Sequence, residues 1–314
     1  MIGPQEFTEY TEDIVETIDK FTINHHLYAD DSQLLTHMHL ESAMEHCRRI
    51  EMCVESLMEW CSSRRLQLNP DKTELIWFGS KSNLRLLTEL NIKNLNFCGV
   101  NIEPVDSVRD LGVVMDSELT MRKHIGNVAS ICFFHLRRLR KLRPFLNVAN
   151  TQRLVSAFIL SRIDYCNAVL AGLPASTVAP LQRVMNAAAR VVAGPGAPTH
   201  VSGILRELHW LPVTYRIRYK LCVLMFRVNE GTAPSYIADT TTPISMLPGH
   251  RRLRSAQTNE FDVPRTRTKF GDRAFSVAGP REWNSLPGLI RSITDYDSFK
   301  RAIKTHFFAM AFTD

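Results

Sequence analysis

The spacing of the apolar residues changes at about Thr120, and this change limits the folds that the chain can adopt. Before that point, short apolar runs are separated by turns that contain Gly, Pro or Asn, a pattern typical of short strands. After it, apolar residues recur every three or four positions over long stretches, which predicts helices. The sequence therefore predicts an α+β protein in which short antiparallel strands come first and helices dominate later.

The first third combines strand and helix signals. Glu41, Glu45, Glu51, Glu55 and Glu59 lie on the exposed face of its one long predicted helix and account for much of the local acidity. The predicted elements are a hairpin at 21–36, an amphipathic helix at 40–62, a short strand at 66–68, a turn at 69–71, a strand at 73–78 and two short strands within 95–117.

The remaining two thirds predict helices joined by turns and one linker. The predicted helices cover 121–143, 148–170, 177–193 and 201–229, the last of these broken at Pro212, and a final helix begins at the capping pattern Thr294-x-x-Asp297. The stretch AGPGAPTH at 193–200 predicts a linker, and 231–265 predicts a long loop. These signals divide the chain into regions at 1–117, 118–195 and 196–314.

Charge is distributed unevenly along the chain. Residues 1–60 contain thirteen Asp and Glu against three Lys and Arg, although the whole chain has a net charge of +6. Between Glu118 and Glu207 the only acidic residue is Asp164, whereas basic residues are frequent. A long segment almost without carboxylates is typical of a surface that faces a polyanion, although a single solvated basic helix would give the same local pattern.

Several protein classes are excluded at this stage. The longest charge-free run, 165–182, is interrupted by Gly and Pro, and the first residues have neither a basic start nor an apolar core. We therefore expect no membrane span and no signal peptide. The seven cysteines are scattered without CxxC pairs, which favours reduced thiols and an intracellular location, in the nucleus or the cytoplasm.

The two adjacent aspartates of LYADD, Asp30 and Asp31, need a physical explanation. Asp is favoured in turns for its local hydrogen bonds, and this alone can account for the pair. Alternatively, two neighbouring carboxylates repel each other until a divalent cation converts the repulsion into coordination. Oxygen ligands of this kind suit Mg²⁺, which keeps part of its water shell and bridges substrate phosphates. Asp30 and Asp31 are therefore candidate metal ligands.

The order of motifs around these aspartates resembles one known family. LYADD in a hairpin is followed by a helix, then WCSSRRLQLNPDKTELIWFG, then VRDLGVVMDSELTMRKHI. This order is similar to the palm of the reverse transcriptases of non-LTR, LINE-type, jockey-like retrotransposons. The downstream segments SRIDYCNAVLAGLP, LQRVMNAAARVV and RAFSVAGPREWNSLP also resemble the C-terminal parts of such elements. The resemblance implies a partial palm at 1–117, a thumb-like helical region at 118–195 and an α-rich C-terminal module at 196–314.

The resemblance implies a function and assigns roles to single residues. It implies RNA-directed DNA polymerisation by a two-metal mechanism, with an RNA template, a DNA primer and deoxynucleotide triphosphates as partners and Mg²⁺ as cofactor. Asp30 and Asp31 would be catalytic metal ligands, and Tyr28 would lie beside the incoming nucleotide or primer end. Lys72, in LNPDKTE, would assist pyrophosphate departure, although a surface lysine in a turn gives the same pattern.

Two further groups of residues are expected to bind nucleic acid. Leu111, Gly112 and Val113 would form the strand that grips the primer end, where Gly allows close approach of the backbone, although an ordinary core strand is an equal alternative. The basic helix HLRRLRKLRPFL falls where the resemblance implies a thumb, with Leu136, Leu139 and Leu142 pointing inward. Its basic residues would follow the phosphates of a template–primer duplex: Arg137, Arg138, Arg140, Lys141 and Arg143.

One departure from the family pattern affects the expected activity. The family needs a third carboxylate on a strand well upstream of the hairpin, and only 29 residues precede Asp30. We therefore expect the chain alone to be a truncated enzyme with little or no polymerase activity, since such groups act as a unit. Two alternatives are a non-catalytic nucleic-acid-binding module and an interaction or structural protein without a nucleic-acid role.

Overall fold

The computed structural model describes residues 4–90, 92, 94–97, 99–194, 200–247 and 259–313. The chain divides into two compact units, Met1–Thr120 and Met121–Asp314. The described strands pair in the first unit, and the second unit is built from helices. The predicted α+β class with short antiparallel strands is confirmed. The predicted division between 195 and 196 falls at residues outside the described ranges and stays a prediction.

The described residues of the first unit form four α-helices and three two-stranded antiparallel hairpins. The helices are α1 (Pro4–Tyr10), α2 (Ile14–Asp19), α3 (Ala43–Ser63) and α4 (Lys81–Glu89). The hairpins pair β1 (Asn24–Tyr28) with β2 (Asp31–Leu35), β3 (Leu95–Phe97) with β4 (Val100–Ile102), and β5 (Ser107–Asp110) with β6 (Val113–Asp116). The predicted hairpin at 21–36 and the predicted helix at 40–62 are thus confirmed.

Helix α3 provides the apolar surface on which the first hairpin lies. Its residues Cys53 and Leu57 form a buried cluster with Ile14, Ile18 and Ile23. Leu27 and Leu34 of the β1–β2 hairpin pack against this cluster. Because neighbouring strand residues alternate between two faces, the opposite face of the hairpin carries Tyr28, Asp31 and Gln33. Core packing on the Leu27 face therefore directs Tyr28 and Asp31 away from the buried cluster.

Two predicted strands of the first unit are wrong. Residues 66–68 and 73–78 do not form described strands, and the second segment makes only a single bridge, between Leu75 and Pro104. A strand requires a partner along its length, and local alternation does not supply one. The predicted turn at 69–71 is confirmed as a short 3₁₀ helix, Pro70–Lys72, with the Asn69 side chain accepting from the backbone N–H of Asp71 at 3.0 Å.

The second unit is a stack of helices of unequal length. In chain order the helices are α5 (Arg122–Leu142), α6 (Val148–Val155), a π-helix (Ser156–Leu160), α7 (Ser161–Asp164), α8 (Ala175–Ala193), α9 (Val201–Glu207), α10 (Val213–Asn229), α11 (Ser235–Ala238), α12 (Phe275–Asn284), α13 (Gly288–Arg291) and α14 (Tyr296–Phe312). None of the described helices combines the length and the hydropathy of a membrane-spanning segment.

Helices α5 and α8 form the first layer of this unit. Helix α5 buries a stripe at helical spacing that includes Ile125, Cys132 and Leu136. Helix α8 packs against α5 and buries three consecutive alanines, Ala187–Ala189. The resulting layer fixes which face of α5 is exposed.

Helices α10, α12 and α14 enclose an aromatic core. Trp283, Phe299 and Phe307 are fully buried. The rings of Phe226 and Phe299 stack with centroids 4.4 Å apart, and the Trp283 ring lies 5.6 Å from that of Phe299. The indole N–H of Trp283 donates to the Asn259 carbonyl at 2.6 Å. Burial of these rings away from water stabilises the second unit.

Most helices of the second unit lie where the periodicity predicts them, with four differences. The predicted helix at 148–170 is an α–π–α segment that ends at Asp164. The last helix is capped by Asp295, whose carboxylate accepts from the Ser298 N–H at 2.7 Å, and not by Thr294. Helix α12 was not predicted. The loop predicted at 231–265 contains α11 and a 3₁₀ helix, Ile244–Met246. Residues 248–258 of this loop and residues 195–199 of the predicted linker lie outside the described residues.

Candidate functional site

The LYADD residues form the tip of a tight hairpin. Tyr28 pairs with Asp31, so the loop consists of Ala29 and Asp30. Ala29 adopts a left-handed conformation with φ 52°, which the two-residue connection requires of its first residue. Tyr28, Asp30 and Asp31 are all exposed, and 60% of the Tyr28 side chain surface is accessible. The structure therefore presents both carboxylates and the phenol to solvent.

The two carboxylates have no cationic partner within the part of the chain that the structure describes. None of the ion pairs or side-chain hydrogen bonds found there includes Asp30 or Asp31. A permanent arginine partner, which would have explained the pair without any ligand, is not seen among these residues. Solvation alone offsets their mutual repulsion.

The hairpin fits part of a magnesium site and not a complete one. Mg²⁺ is held in proteins by one or two carboxylates together with water and substrate phosphate oxygens, and Asp30 and Asp31 can supply the protein part. Across the described ranges, no group of three or more His, Cys, Asp or Glu side chains gathers as a metal centre would require. The pair therefore fits a magnesium ion that arrives with a phosphate substrate and does not fit a resident ion held by protein alone.

A hydrogen bond connects the LYADD hairpin to the DLG segment. The Gln33 amide nitrogen donates to a carboxylate oxygen of Asp110 at 2.5 Å. Gln33 lies two residues from Asp31 on the same face of β2, and Asp110 is the last residue of β5. This hydrogen bond joins two residues that are 77 positions apart and brings the two hairpins together within the first unit.

The turn of the β5–β6 hairpin corrects the expectation for Leu111, Gly112 and Val113. Asp110 pairs with Val113, which makes Leu111 and Gly112 the two turn residues, with φ 41° and 86°. Val113 begins β6 and is buried. The prediction that all three form a strand is wrong for the first two, because a two-residue hairpin turn needs positive φ at its central positions. Gly112 is exposed at this turn, so its backbone is accessible.

Lys72 lies at the end of the 3₁₀ helix that follows α3. Its side chain is exposed, and no ion pair in the described part of the chain includes it. The turn is held locally, because the Thr73 hydroxyl donates to the Asn69 carbonyl at 2.9 Å. The structure thus leaves Lys72 available on a fixed turn, and its role in catalysis stays a prediction.

The basic face of α5 is exposed as predicted, with one apolar exception. Leu136 and Leu139 are buried and point inward, whereas Leu142 is 51% exposed and the prediction for it is wrong. Leu142 is the last residue of the helix. Four basic side chains lie on the exposed surface of the last two turns: Arg137, Arg138, Arg140 and Lys141.

Arg143 has a different environment from its four neighbours. Its guanidinium donates to the carbonyls of Leu146, Val191 and Val192 at 2.8, 3.0 and 3.3 Å. The last two belong to the final turn of α8, where carbonyls lack partners within the helix. A Cβ on Gly194 would lie 3.0 Å from the guanidinium, so the glycine leaves it room. Arg143 therefore caps α8, and we exclude it from the set expected to follow phosphates.

Aromatic rings lie among the cations of α5, a feature that the sequence reasoning missed. The His135 ring stacks on Phe158 with centroids 5.3 Å apart, and Phe134 meets His135 edge-on at 5.5 Å. The Arg138 guanidinium lies 5.6 Å from the centre of the Phe134 ring. Burial, followed by the charges of Arg162 and Arg138, lowers the pKa of His135. We call Phe134, His135 and Phe158 the aromatic ladder.

The aromatic ladder could be found only in part from the sequence. Phe134 and Arg138 are four positions apart in a helix, which places them on one face. Phe158, however, comes from the π-helix, and no local pattern predicts its stacking on His135. The Phe134 and Phe158 side chains are 48% and 40% exposed, so the ladder is a surface feature.

The single carboxylate of the basic segment is neutralised within the fold. The Arg216 guanidinium donates to one carboxylate oxygen of Asp164 at 2.6 Å, and Arg216 also donates to the Leu211 carbonyl at 2.9 Å. The described residues of the segment between Glu118 and Glu207 therefore carry a strongly positive charge.

Comparisons with protein-family models, with curated proteins and with solved structures found no match to the chain.

Proposed function

We propose that the chain is part of the reverse transcriptase of a LINE-type, jockey-like retrotransposon, with the first unit as palm and α5–α8 as the thumb-like region. One observation carries the proposal. The LYADD hairpin presents two exposed carboxylates at its tip and is joined through Gln33 and Asp110 to the hairpin of the DLG segment. The motif order of the sequence and this contact point to the same arrangement, in which metal ligands and primer-binding backbone are neighbours.

The proposal gives the first unit the following chemistry. Asp30 and Asp31 hold the magnesium that accompanies a deoxynucleotide triphosphate, and Tyr28, opposite Asp31 in the register, lies beside the nucleotide or primer end. Bound magnesium would neutralise phosphate charge and lower the pKa of the attacking hydroxyl. Lys72 places a cation where the departing pyrophosphate gains negative charge. The exposed backbone of Gly112 approaches the primer.

The second unit contributes nucleic-acid binding. Arg137, Arg138, Arg140 and Lys141 contact phosphates, and their charge is not opposed by a free carboxylate in this segment. The aromatic ladder adds ring faces on which bases that leave the duplex can stack. This surface binds by charge and shape and not by base sequence.

A non-catalytic nucleic-acid-binding module is the second candidate. It is favoured by the incomplete metal site: no third acidic or imidazole ligand joins Asp30 and Asp31 within the described residues. It needs only the basic face of α5, which is formed entirely within the second unit. Under this candidate the hairpin is retained from a polymerase ancestor and has no catalytic role.

Two measurements on the 314-residue polypeptide test the two candidates. The first is the binding of an RNA–DNA heteroduplex, measured by fluorescence anisotropy, which should weaken steeply with salt under both candidates. Binding without salt dependence would leave only an interaction or structural role. Mg²⁺ should bind measurably only when a primer–template and a deoxynucleotide triphosphate are present. We expect the double variant Asp30→Asn/Asp31→Asn to abolish this linked binding, whereas Glu45→Gln/Glu55→Gln on the exposed face of α3 should not.

A primer-extension assay addresses the activity of the same polypeptide. We expect little or no templated synthesis, because two exposed carboxylates provide only part of a two-metal site. Robust synthesis that is lost in Asp30→Asn would contradict this expectation and would favour the enzyme over the binding module. Absence of both linked Mg²⁺ binding and synthesis would overturn the palm assignment and leave the binding module.

A further inference from the structure

The second unit contains a cavity that the proposed function does not use. Its volume is about 430 Å³, within the range of roughly 300–1,000 Å³ typical of small-molecule sites. Its wall comes from α6, the segment around α7, the α9–α10 connection, α10 and α14. Segments that are far apart in sequence, including SRIDYCN and LHWLP, therefore meet here.

Two acceptor atoms in the cavity wall have no hydrogen-bond partner. Asn167 is 2% exposed, and its side-chain oxygen is buried without a partner. The Oδ1 atom of Asp164 is also buried and unpaired, while Oδ2 of the same carboxylate accepts from Arg216. Buried polar atoms are nearly always paired, because leaving one unpaired costs about 1–3 kcal/mol. Two such acceptors beside one cavity indicate a ligand that donates N–H or O–H groups.

Cations line the same cavity. Lys220 projects from α10 and Lys304 from α14, and the charge of the third cation, Arg216, is balanced by Asp164. No other carboxylate contributes to the described wall, so the two lysines give it a net positive charge. This charge favours an anionic ligand, and lysine is a common phosphate-binding residue in proteins.

Aromatic side chains complete the wall. Trp210, Tyr219 and His209 all line the cavity, and the phenol pKa of Tyr219 is raised, first by burial. Flat apolar walls suit a planar ring, and inorganic phosphate alone would fill only a small part of the volume. The wall therefore combines three features: ring surfaces, acceptors without partners and two lysines.

We propose that this cavity binds a nucleotide. The phosphate interacts with Lys220 and Lys304, the base lies against the aromatic wall, and N–H or O–H groups of base or ribose donate to Asn167 and Asp164. The nucleotide is either free in solution or one unit of a single-stranded nucleic acid. The proposal uses neither the LYADD hairpin nor the basic face of α5, so it does not rest on the proposed function.

The proposal is tested by isothermal titration calorimetry of the full chain. The ligands are nucleoside 5′-monophosphates, inorganic phosphate and a short single-stranded RNA. At least one monophosphate should bind at least ten-fold more tightly than inorganic phosphate. Lys304→Gln should weaken that binding at least five-fold, whereas Arg301→Gln, an exposed cation one turn away that does not line the cavity, should leave it unchanged. If the site instead takes one nucleotide of a single strand, the RNA will bind and the monophosphates will not. Lys304→Gln will then weaken RNA binding.

Asn167→Ala separates a ligand role from a structural one. Because its oxygen is unpaired in the free protein, removing it should leave the melting temperature unchanged or higher, yet should weaken nucleotide binding at least ten-fold. The proposal is overturned if neither monophosphate nor RNA binds, if inorganic phosphate binds equally well, or if Lys304→Gln and Arg301→Gln behave alike. Should Asn167→Ala fail to fold, the comparison of Lys304→Gln with Arg301→Gln decides.

Discussion

Substitution of neighbouring basic residues on α5 should affect two different properties of the protein. Arg137 and Lys141 are exposed, whereas Arg143, only two residues beyond, donates to three backbone carbonyls. We expect Arg137→Gln/Lys141→Gln to weaken nucleic-acid binding without loss of stability. Arg143→Gln should lower stability and leave the salt dependence of binding unchanged.

The size of the first effect follows from counterion release. Each phosphate contact contributes about −0.9 to the slope of log affinity against log salt, so four contacts give about −3.6 and two give about −1.8. Between 50 and 200 mM salt, the unmodified chain should lose about 150-fold in affinity and the double variant about 12-fold, if these contacts dominate. The double variant should change unfolding free energy by less than about 0.5 kcal/mol, as exposed substitutions usually do.

The size of the second effect follows from the hydrogen bonds of Arg143. Hydrogen bonds that involve a charged group contribute about 1.5–3 kcal/mol, and partial exposure reduces the sum over three, so we expect a loss of about 3 kcal/mol. For a unit of this size that loss lowers the melting temperature by about 6–12 °C.

Fluorescence anisotropy with a labelled RNA–DNA heteroduplex at several salt concentrations measures the effect on binding. Thermal unfolding monitored by circular dichroism measures the effect on stability. The double variant removes two positive charges and Arg143→Gln removes one, so the change in salt slope is compared per charge removed. The capping role of Arg143 is contradicted if Arg143→Gln reduces the salt slope as much as Arg137→Gln/Lys141→Gln. Phosphate contacts by Arg137 and Lys141 are contradicted if the double variant keeps the full slope.

Three further predictions concern stability. Leu111→Asn should raise the free energy of unfolding by about 0.5–1 kcal/mol in urea titrations, because Asn tolerates the positive φ of 41° in this turn better than Leu. A decrease in the free energy of unfolding would refute the turn assignment. Trp283→Ala should cost about 3–5 kcal/mol in calorimetry, because the indole is fully buried, and a cost below about 1 kcal/mol would contradict the aromatic core. Burial is the main cause that lowers the pKa of His124, His135 and His306 from 6.5. The unfolded state therefore binds more protons below pH 6.5, and the free energy of unfolding should fall as the pH drops from 7.5 to 5.5. A rise in the urea midpoint over this pH range would be the contrary result.

Features fixed by local spacing could be predicted from the sequence. The hairpin at 24–35 follows from alternation around a tight turn, and α3 and α5 follow from apolar residues every three or four positions. The buried face of α14, with Phe299, Ile303 and Phe307, also follows from apolar residues four positions apart. These patterns are decided within a few residues, so no knowledge of distant partners was needed.

Features fixed by distant partners could not be predicted. Helix α12 contains Gly279 and Pro280, which local rules count against a helix. A Cβ at Gly279 would lie 2.9 Å from the Met225 sulfur, so tertiary packing requires the glycine there. Similarly, the capping role of Arg143 depends on carbonyls 48 and 49 positions away, and charge alone grouped it with its exposed neighbours.

The aromatic core of the second unit has a consequence for biosynthesis. Helix α10 ends at Asn229, yet the residues that cover its apolar side include Phe299, Ile303 and Phe307. Until the ribosome has added these residues, α10 of the nascent chain must expose Cys222, Met225 and Phe226 to water or to a chaperone. A premature stop codon before Phe299 would therefore yield a product that aggregates or is degraded, even though most of the chain had been made.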